Sequence, residues 1–149
     1  FQNENFGTGK THHGCMFLNH YIYKSCLTDR FDFENPLALF VSYVELIHKL
    51  RYERDFDDAI WDYIESVKEV PLLMLDDIGA GSMTDFAREQ TYMILNYRFN
   101  EGLSTIITTN LSSSALADRN SLGERNVSRI GANCVGISVG GRDRRRGRK

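Results

Sequence analysis

The sequence predicts an α/β fold in which helices cover both faces of a parallel β-sheet. Short apolar runs of strand length alternate with longer segments that carry apolar residues at helical spacing. This alternation is typical of parallel α/β sheets. The central apolar runs lack a polar residue at every second position, which indicates strands buried on both faces. The chain has 149 residues, which suffices for one domain of this kind.

The first half of the chain predicts three helices and two strands. The segment after Lys10 is mostly apolar and of helical length, and the third helix carries apolar residues at three- and four-residue steps. Pro71 ends that third helix because proline lacks the amide hydrogen that a helix needs. The predicted helices cover residues 12–26, 44–52 and 55–70, and the predicted strands cover residues 37–41 and 72–75.

The second half predicts one long helix, a strand and three shorter elements. Thr84 or Asp85 can cap the long helix, which reaches about Asn100 and has Gly102 as its C-terminal stop. β-Branched residues fill positions 105–109, which predicts a strand. The other predicted elements are a helical stretch from residue 112, a helix over residues 120–130 and a strand over residues 135–139.

Composition and cysteine usage predict a cytoplasmic protein. The hydrophobic fraction of 42% and the charged fraction of 26% exclude a disordered chain, a collagen-like repeat and a disulfide scaffold. No apolar run of about 18 residues is present and no secretory leader is visible, so we expect no membrane association. The three scattered cysteines indicate a reducing compartment.

Charge is distributed unevenly along the chain. The formal net charge is −2, but residues 1–124 carry 10 basic and 19 acidic side chains, whereas residues 125–149 carry 8 basic and 1 acidic. Most of this positive charge lies in a basic tail, residues 142–149. Such a tail attracts polyanions, chiefly nucleic acid. A solubilising tail without a dedicated partner is the alternative.

A glycine-rich segment, Gly7-Thr8-Gly9-Lys10-Thr11, matches the end of the phosphate-binding pattern G-x-x-x-x-G-K-[ST]. Glu4 stands where the pattern has its first glycine. Glycines let backbone amides converge on phosphate oxygens, and the following helix directs its positive end at the same anion. Lys10 would contact the terminal phosphates and Thr11 would join the Mg²⁺ shell. A glycine turn with an incidental lysine is the alternative.

Polar side chains follow two of the predicted strands. Asp76 and Asp77 follow the strand over residues 72–75, and Asn110 follows the next strand. The carboxyl ends of parallel strands form the edge where ligands bind. Asp76 is predicted to hold Mg²⁺, and Asp77 to orient or deprotonate an attacking water. Asn110 is predicted to contact the γ-phosphate or the same water. Each motif taken alone also has a purely structural interpretation. Asp76 and Asp77 could be an ordinary polar strand end, and Asn110 could be an asparagine that stabilises a turn.

Three segments together resemble the ATPase domain of DnaC/DnaI-type helicase loaders, which are AAA+ proteins with a P-loop NTPase fold. They are residues 7–12, 72–79 and 108–111, and the resemblance runs from about Gly7 to Ser138. The IstB transposition ATPases are close relatives. The resemblance implies that His12 belongs to the Walker A segment with Lys10 and Thr11. It also implies that Asp76 and Asp77 form Walker B.

The same resemblance implies roles for residues farther along the chain. Asn110 takes the position of sensor 1. The segment over residues 124–130 resembles the helix that bears an arginine finger, with Arg129 as the first candidate and Arg125 as the second. A finger acts in trans on the ATP of a neighbouring subunit, so the resemblance implies a homo-oligomer.

The resemblance implies an ATPase that uses ATP and Mg²⁺, contacts single-stranded DNA and helps to load a hexameric replicative helicase. Hydrolysis would act as a switch between assembly states. Two alternatives remain, namely an IstB-type ATPase that coats duplex DNA and a nucleotide- or DNA-binding module that does not hydrolyse ATP. The expected organisation is an AAA+ core over residues 1–141 and the basic tail. In this family a strand precedes the loop, so we expect an N-terminally truncated core that lacks most of its first strand.

Overall fold

Three strands and six helices make up the part of the chain that the computed structural model describes, which comprises residues 7–28, 35–52, 58–79, 83–141 and 143. The strands are β1 (Ala38–Ser42), β2 (Leu72–Asp76) and β3 (Ser104–Ile107). The helices are α1 (Lys10–Leu27), α2 (Tyr43–Tyr52), α3 (Asp58–Glu69), α4 (Asp85–Asn100), α5 (Ser113–Ala117) and α6 (Glu124–Asn133).

The three strands form a parallel sheet in the order β1-β2-β3, with β2 in the centre. Residue Leu73 of β2 lies opposite Leu39 of β1 and Thr105 of β3. The four apolar residues of β2 are all buried. The predicted parallel sheet with a doubly buried central strand is therefore confirmed.

Helices cover both faces of the sheet because alternate residues of β2 point to opposite sides. Leu73 and Leu75 pack in a core with side chains from α2, α3 and α4. Leu72 and Met74 pack against α1 on the other face. Gly14 lets α1 approach closely, since a β-carbon there would collide with the Met74 side chain. The packing brings the start of α1 beside the carboxyl edge of the sheet.

Arg98 of α4 is fully buried and joins three elements. Its guanidinium makes five hydrogen bonds, and the acceptors are the carbonyls of Val67, Lys68, Val70 and Ser104 and the hydroxyl of Thr105. Several of these carbonyls lie at the C-terminal end of α3, where a helix leaves acceptors without intrahelical partners. Burial lowers the pKa of Arg98 to about 10, so the side chain stays charged at neutral pH.

The predicted strand over residues 135–139 is wrong, since only an isolated β-bridge at Ser138 forms there. Val135 is 89% exposed and Ile137 is 46% exposed. Alternation alone does not make a strand when a continuous ladder and burial do not stabilise it. The helix predicted over residues 120–130 also differs, because it begins at Glu124 and ends at Asn133.

Several predictions concern residues outside the described ranges. These are Glu4, the remnant of a preceding strand expected in residues 1–3, and the basic tail apart from Asp143. The predicted start of the third helix at residue 55 is also outside. None of the described helices has the length and apolar character needed to cross a membrane.

We expect the variant Arg98→Met to lower the free energy of unfolding by about 3 kcal/mol, because it leaves buried carbonyls without donors. Urea denaturation measures the difference. Arg119→Met is the control, since Arg119 is exposed and its replacement should change the stability by less than about 0.5 kcal/mol. Equal stability of Arg98→Met and the unmodified chain would contradict the structural role of Arg98.

Candidate functional site

The glycine-rich loop leads directly into α1, so its backbone lies at the N-terminus of that helix. Gly7 and Gly9 adopt left-handed backbone angles, with φ of 73° and 99°, which side chains other than glycine rarely adopt. Gly9 is the N-cap of α1 and offers no capping side chain, and the first turn carries no acidic residue. Backbone amides and the positive end of the helix dipole are the groups that bind phosphate at such a helix start.

Two side chains of the loop are buried at this helix start. Lys10 is the first residue of α1 and is 6% exposed, and Thr8 is 1% exposed. Among the described residues, the Thr8 hydroxyl has no hydrogen-bond partner. Buried hydroxyls normally have a partner. The loop therefore offers a bound phosphate a buried hydroxyl donor in addition to backbone amides, and the residues present fit a nucleotide.

His13 rather than His12 contacts the loop. The Nδ1 of His13 donates to the Gly9 carbonyl at 2.8 Å, and the His13 amide donates to the same oxygen at 2.9 Å. His12 is exposed, and its ring meets the His13 ring edge-on at 6.0 Å between centroids. Sequence reasoning singled out His12 and missed the four-residue step from Gly9 to His13, which is the spacing that brings side chains onto the preceding turn of a helix.

Asp76 connects the loop to the sheet edge. Its Oδ2 accepts a hydrogen bond from the Thr11 hydroxyl at 3.1 Å, and its Oδ1 accepts one from the Thr108 hydroxyl at 2.6 Å. The two predicted magnesium ligands, Thr11 and Asp76, are therefore in direct contact. Hydroxyl and carboxylate oxygens are the donor set that Mg²⁺ prefers, so this pair fits the ion.

Asp77 has a strained backbone next to this pair. Its φ is 61°, the only left-handed angle of a non-glycine residue within the described ranges, and such strain is concentrated at functional sites. Its carboxylate Oδ1 accepts a hydrogen bond from Asn110 Nδ2 at 2.5 Å, and its amide donates to the Thr108 hydroxyl at 2.8 Å. The structure thus brings Asp77 and Asn110 together with Thr11 and Asp76.

Thr108 is the residue that sequence reasoning missed in this cluster. Within residues 108–110, the sequence pattern predicts a functional role for Asn110 alone. Thr108 is 2% exposed, and its single hydroxyl donates to Asp76 and accepts from Asp77. The sequence signal for Thr108 is a hydroxyl residue directly after β3. This strand lies beside β2, which ends at Asp76, so their carboxyl ends share one edge of the sheet.

Arg129 and Arg125 lie away from this cluster. Both are on α6 and stack on the ring of Tyr92 in α4, with the Arg125 guanidinium 3.6 Å and the Arg129 guanidinium 5.5 Å from the ring centroid. Interaction with Arg129, followed by interaction with Arg125, lowers the pKa of Tyr92. Within the described contacts of one chain, neither arginine reaches Asp76, Asp77 or Asn110.

Asp143 lies against the phosphate loop. A β-carbon built on Gly7 would collide with the Asp143 carboxylate. The positive φ of 73° is what favours glycine at position 7, since the Asp143 side chain could shift. The end of the described chain thus returns to the loop that begins α1.

We expect Thr108→Val to weaken Mg²⁺-dependent nucleotide binding by about tenfold, because loss of an outer hydrogen bond would release Asp76, the carboxylate that is predicted to hold the ion. Titration with a fluorescent ATP analogue, with and without Mg²⁺, measures the change. Thr109→Val is the matched control, because the buried Thr109 hydroxyl donates to the Ile78 carbonyl and not to a carboxylate. The prediction is wrong if both variants retain the Mg²⁺ dependence of the unmodified chain.

No protein-family model matches the chain. The replicative helicase loader DnaI of Bacillus subtilis (strain 168) is 33% identical over 81 residues, which cover 53% of this chain and 26% of that protein. The chain thus spans roughly a quarter of the length of this curated relative.

Solved structures of loaders are similar over most of this chain. The crystal structure of the DnaC helicase loader is 30% identical with a TM-score of 0.67, and the match covers 88% of this chain and 71% of that one. The crystal structure of DnaI is 27% identical with a TM-score of 0.67, over 96% of this chain and 70% of that one. The AAA+ P-loop fold predicted from the three motifs is thereby confirmed, and this chain belongs to the DnaC/DnaI-type helicase loader family.

Proposed function

We propose that this chain is the ATP-binding and ATP-hydrolysing domain of a helicase loader that acts in DNA replication. The observation that carries the proposal is the direct contact between Thr11 at the start of α1 and Asp76 at the end of β2. Asp77 and Asn110 stand next to this contact. The similarity to DnaI and DnaC supports the replicative helicase as the partner.

The phosphate loop would hold the nucleotide through residues 7–12. Backbone amides at the start of α1 and the Thr8 hydroxyl would donate to phosphate oxygens, and Lys10 would contact the terminal phosphates. Thr11 and Asp76 would hold Mg²⁺, which neutralises negative charge that develops on the phosphoryl oxygens when ATP is cleaved.

Asp77 and Asn110 are the candidates for handling the attacking water. The Asn110 amide donates to Asp77 Oδ1 at 2.5 Å, which holds that carboxylate in one orientation. The Asp77 carboxylate would then accept the proton of the water or fix its direction of attack. Thr108 holds both aspartates in place from the buried side.

The remaining roles involve other molecules. Arg129, with Arg125 as the second candidate, would act as an arginine finger on the ATP of a neighbouring subunit in a homo-oligomer. The basic tail would contact the phosphates of single-stranded DNA, in a salt-dependent manner and without sequence preference. Cleavage of ATP would release one assembly state, and with it the loaded helicase.

We expect Mg²⁺-dependent ATP hydrolysis that Lys10→Ala and Asp77→Asn each reduce by at least ~100-fold. Phosphate release is measured with and without single-stranded DNA. Asp85→Asn is the control, because Asp85 is exposed at the start of α4 and should leave turnover unchanged. Nucleotide binding without turnover in the unmodified chain would contradict the proposal and favour the module that does not hydrolyse ATP.

We expect deletion of residues 142–149 to weaken binding of single-stranded DNA by about tenfold or more at low salt and to flatten its salt dependence, because phosphate contacts release counterions. Fluorescence anisotropy at several salt concentrations measures both quantities. Unchanged affinity after the deletion would refute the role of the tail. A preference of the full chain for duplex DNA would favour the IstB-type alternative.

A further inference from the structure

The two arginine-finger candidates, Arg125 and Arg129, both stack on the ring of Tyr92. Arg125 and Arg129 are four residues apart on α6, a spacing that places them on one helix face. Both guanidinium groups lie over the ring of Tyr92, which belongs to a different helix, α4. A guanidinium that stacks on an aromatic face keeps its N–H donors in its own plane, so they remain available to a planar or tetrahedral anion.

The two guanidinium groups also favour the ionised form of the phenol. Interaction with Arg129 is the largest cause of the lowered pKa of Tyr92, and interaction with Arg125 lowers it further. A long arginine side chain has many rotamers, and contact with one rigid ring restricts them.

The helix that carries the two arginines is fixed to α4 and to the sheet edge. Asn126, which lies between them in sequence, is 3% exposed, and its Nδ2 donates to the carbonyls of Arg88 in α4 and Leu122. Val127 and Ile130 of α6 pack against the core cluster that contains Ile78, the residue after Asp77. The orientation of the arginine pair is therefore coupled to the position of the residues that follow β2.

We propose that Tyr92 is a positioning residue that holds Arg129, with Arg125 stacked on the same ring, in the orientation in which it meets the ATP of the neighbouring subunit. This inference rests on the proposed function, because it requires Arg129 to act in trans. It adds to that function a residue outside the three nucleotide-binding motifs and explains why two arginines of α6 converge on one side chain.

The first experiment tests the cluster without any activity. Phenol ionisation of Tyr92 is followed by NMR of ring-labelled tyrosine in the full chain, with Tyr92→Phe used to assign the signal. Loss of a cation disfavours the ionised phenolate, so we expect Arg129→Gln and Arg125→Gln each to raise the pKa of Tyr92. An unchanged pKa in both variants would show that the cluster does not form and would overturn the proposal.

The second experiment compares turnover. We expect Tyr92→Leu to lower kcat for ATP by about tenfold with little change in KM, the fold-change that corresponds to loss of a cation–π contact. Tyr92→Phe keeps the ring and should retain turnover to within about threefold. Tyr97→Leu is the matched control, because Tyr97 lies on the same helix under a different cation, Lys68, and should leave kcat unchanged.

The third experiment separates positioning in trans from damage within one subunit. Lys10→Ala subunits have a defective ATP site but an intact Tyr92 and Arg129. Tyr92→Leu subunits have an intact ATP site, so mixing the two variants should restore turnover above the sum of their separate rates. No recovery in the mixture would overturn the proposal, because the defect of Tyr92→Leu would then lie in its own ATP site.

The outcomes also separate this inference from the function on which it rests. Full turnover in Arg129→Ala would contradict the finger itself, and absence of turnover in the unmodified chain would contradict the ATPase. Slow turnover in Arg129→Ala with full turnover in Tyr92→Leu would contradict only the positioning role of Tyr92.

Discussion

The geometry of the candidate site depends on the buried guanidinium of Arg98. It joins the C-terminal end of α3 to the first residues of β3, where it binds the Ser104 carbonyl and the Thr105 hydroxyl. This contact holds the start of β3 while the ladder to β2 sets its register. The last ladder pair between β2 and β3 is Leu75 with Ile107. The residues that follow this pair, Asp76 and Thr108, are therefore neighbours, and the Thr108 hydroxyl donates to the Asp76 carboxylate. The buried Arg98 cation has only neutral partners. Its burial is tolerated because five hydrogen bonds replace the hydration that it loses.

The two neighbouring aspartates have different surroundings, and this difference separates their roles. Asp76 continues the strand and shares its carboxylate between two hydroxyl groups. Asp77 follows the strand in a left-handed backbone conformation, and its carboxylate accepts a hydrogen bond from the Asn110 side-chain amide. The backbone turn therefore directs the two neighbouring carboxylates to separate hydrogen-bond donors. The Thr108 hydroxyl joins the two, since it contacts the side chain of one aspartate and the backbone of the other.

The arginine pair on α6 belongs to a separate part of the molecule. Its described contacts are with Tyr92 rather than with the candidate nucleotide-binding residues of the same chain. A cation that stabilises a transition state need not lie in its own active site when a neighbouring subunit supplies it. Packing of Val127 and Ile130 near Ile78 links this surface to the sheet edge. The position of β2 thus influences both the candidate nucleotide-binding residues and the arginine pair.

The sequence by itself determined the parallel sheet, most helix bounds and the three motifs, because these depend on local periodicity and on residue types at short spacing. It misassigned residues 135–139 because alternation says nothing about whether a neighbouring strand or a buried face is present. Tertiary structure decided the contacts of Thr108 with Asp76, of Arg98 with α3 and of Tyr92 with Arg125 and Arg129. These pairs lie roughly 30 residues apart in sequence, or more, so only the packing of strands and helices brings them into contact.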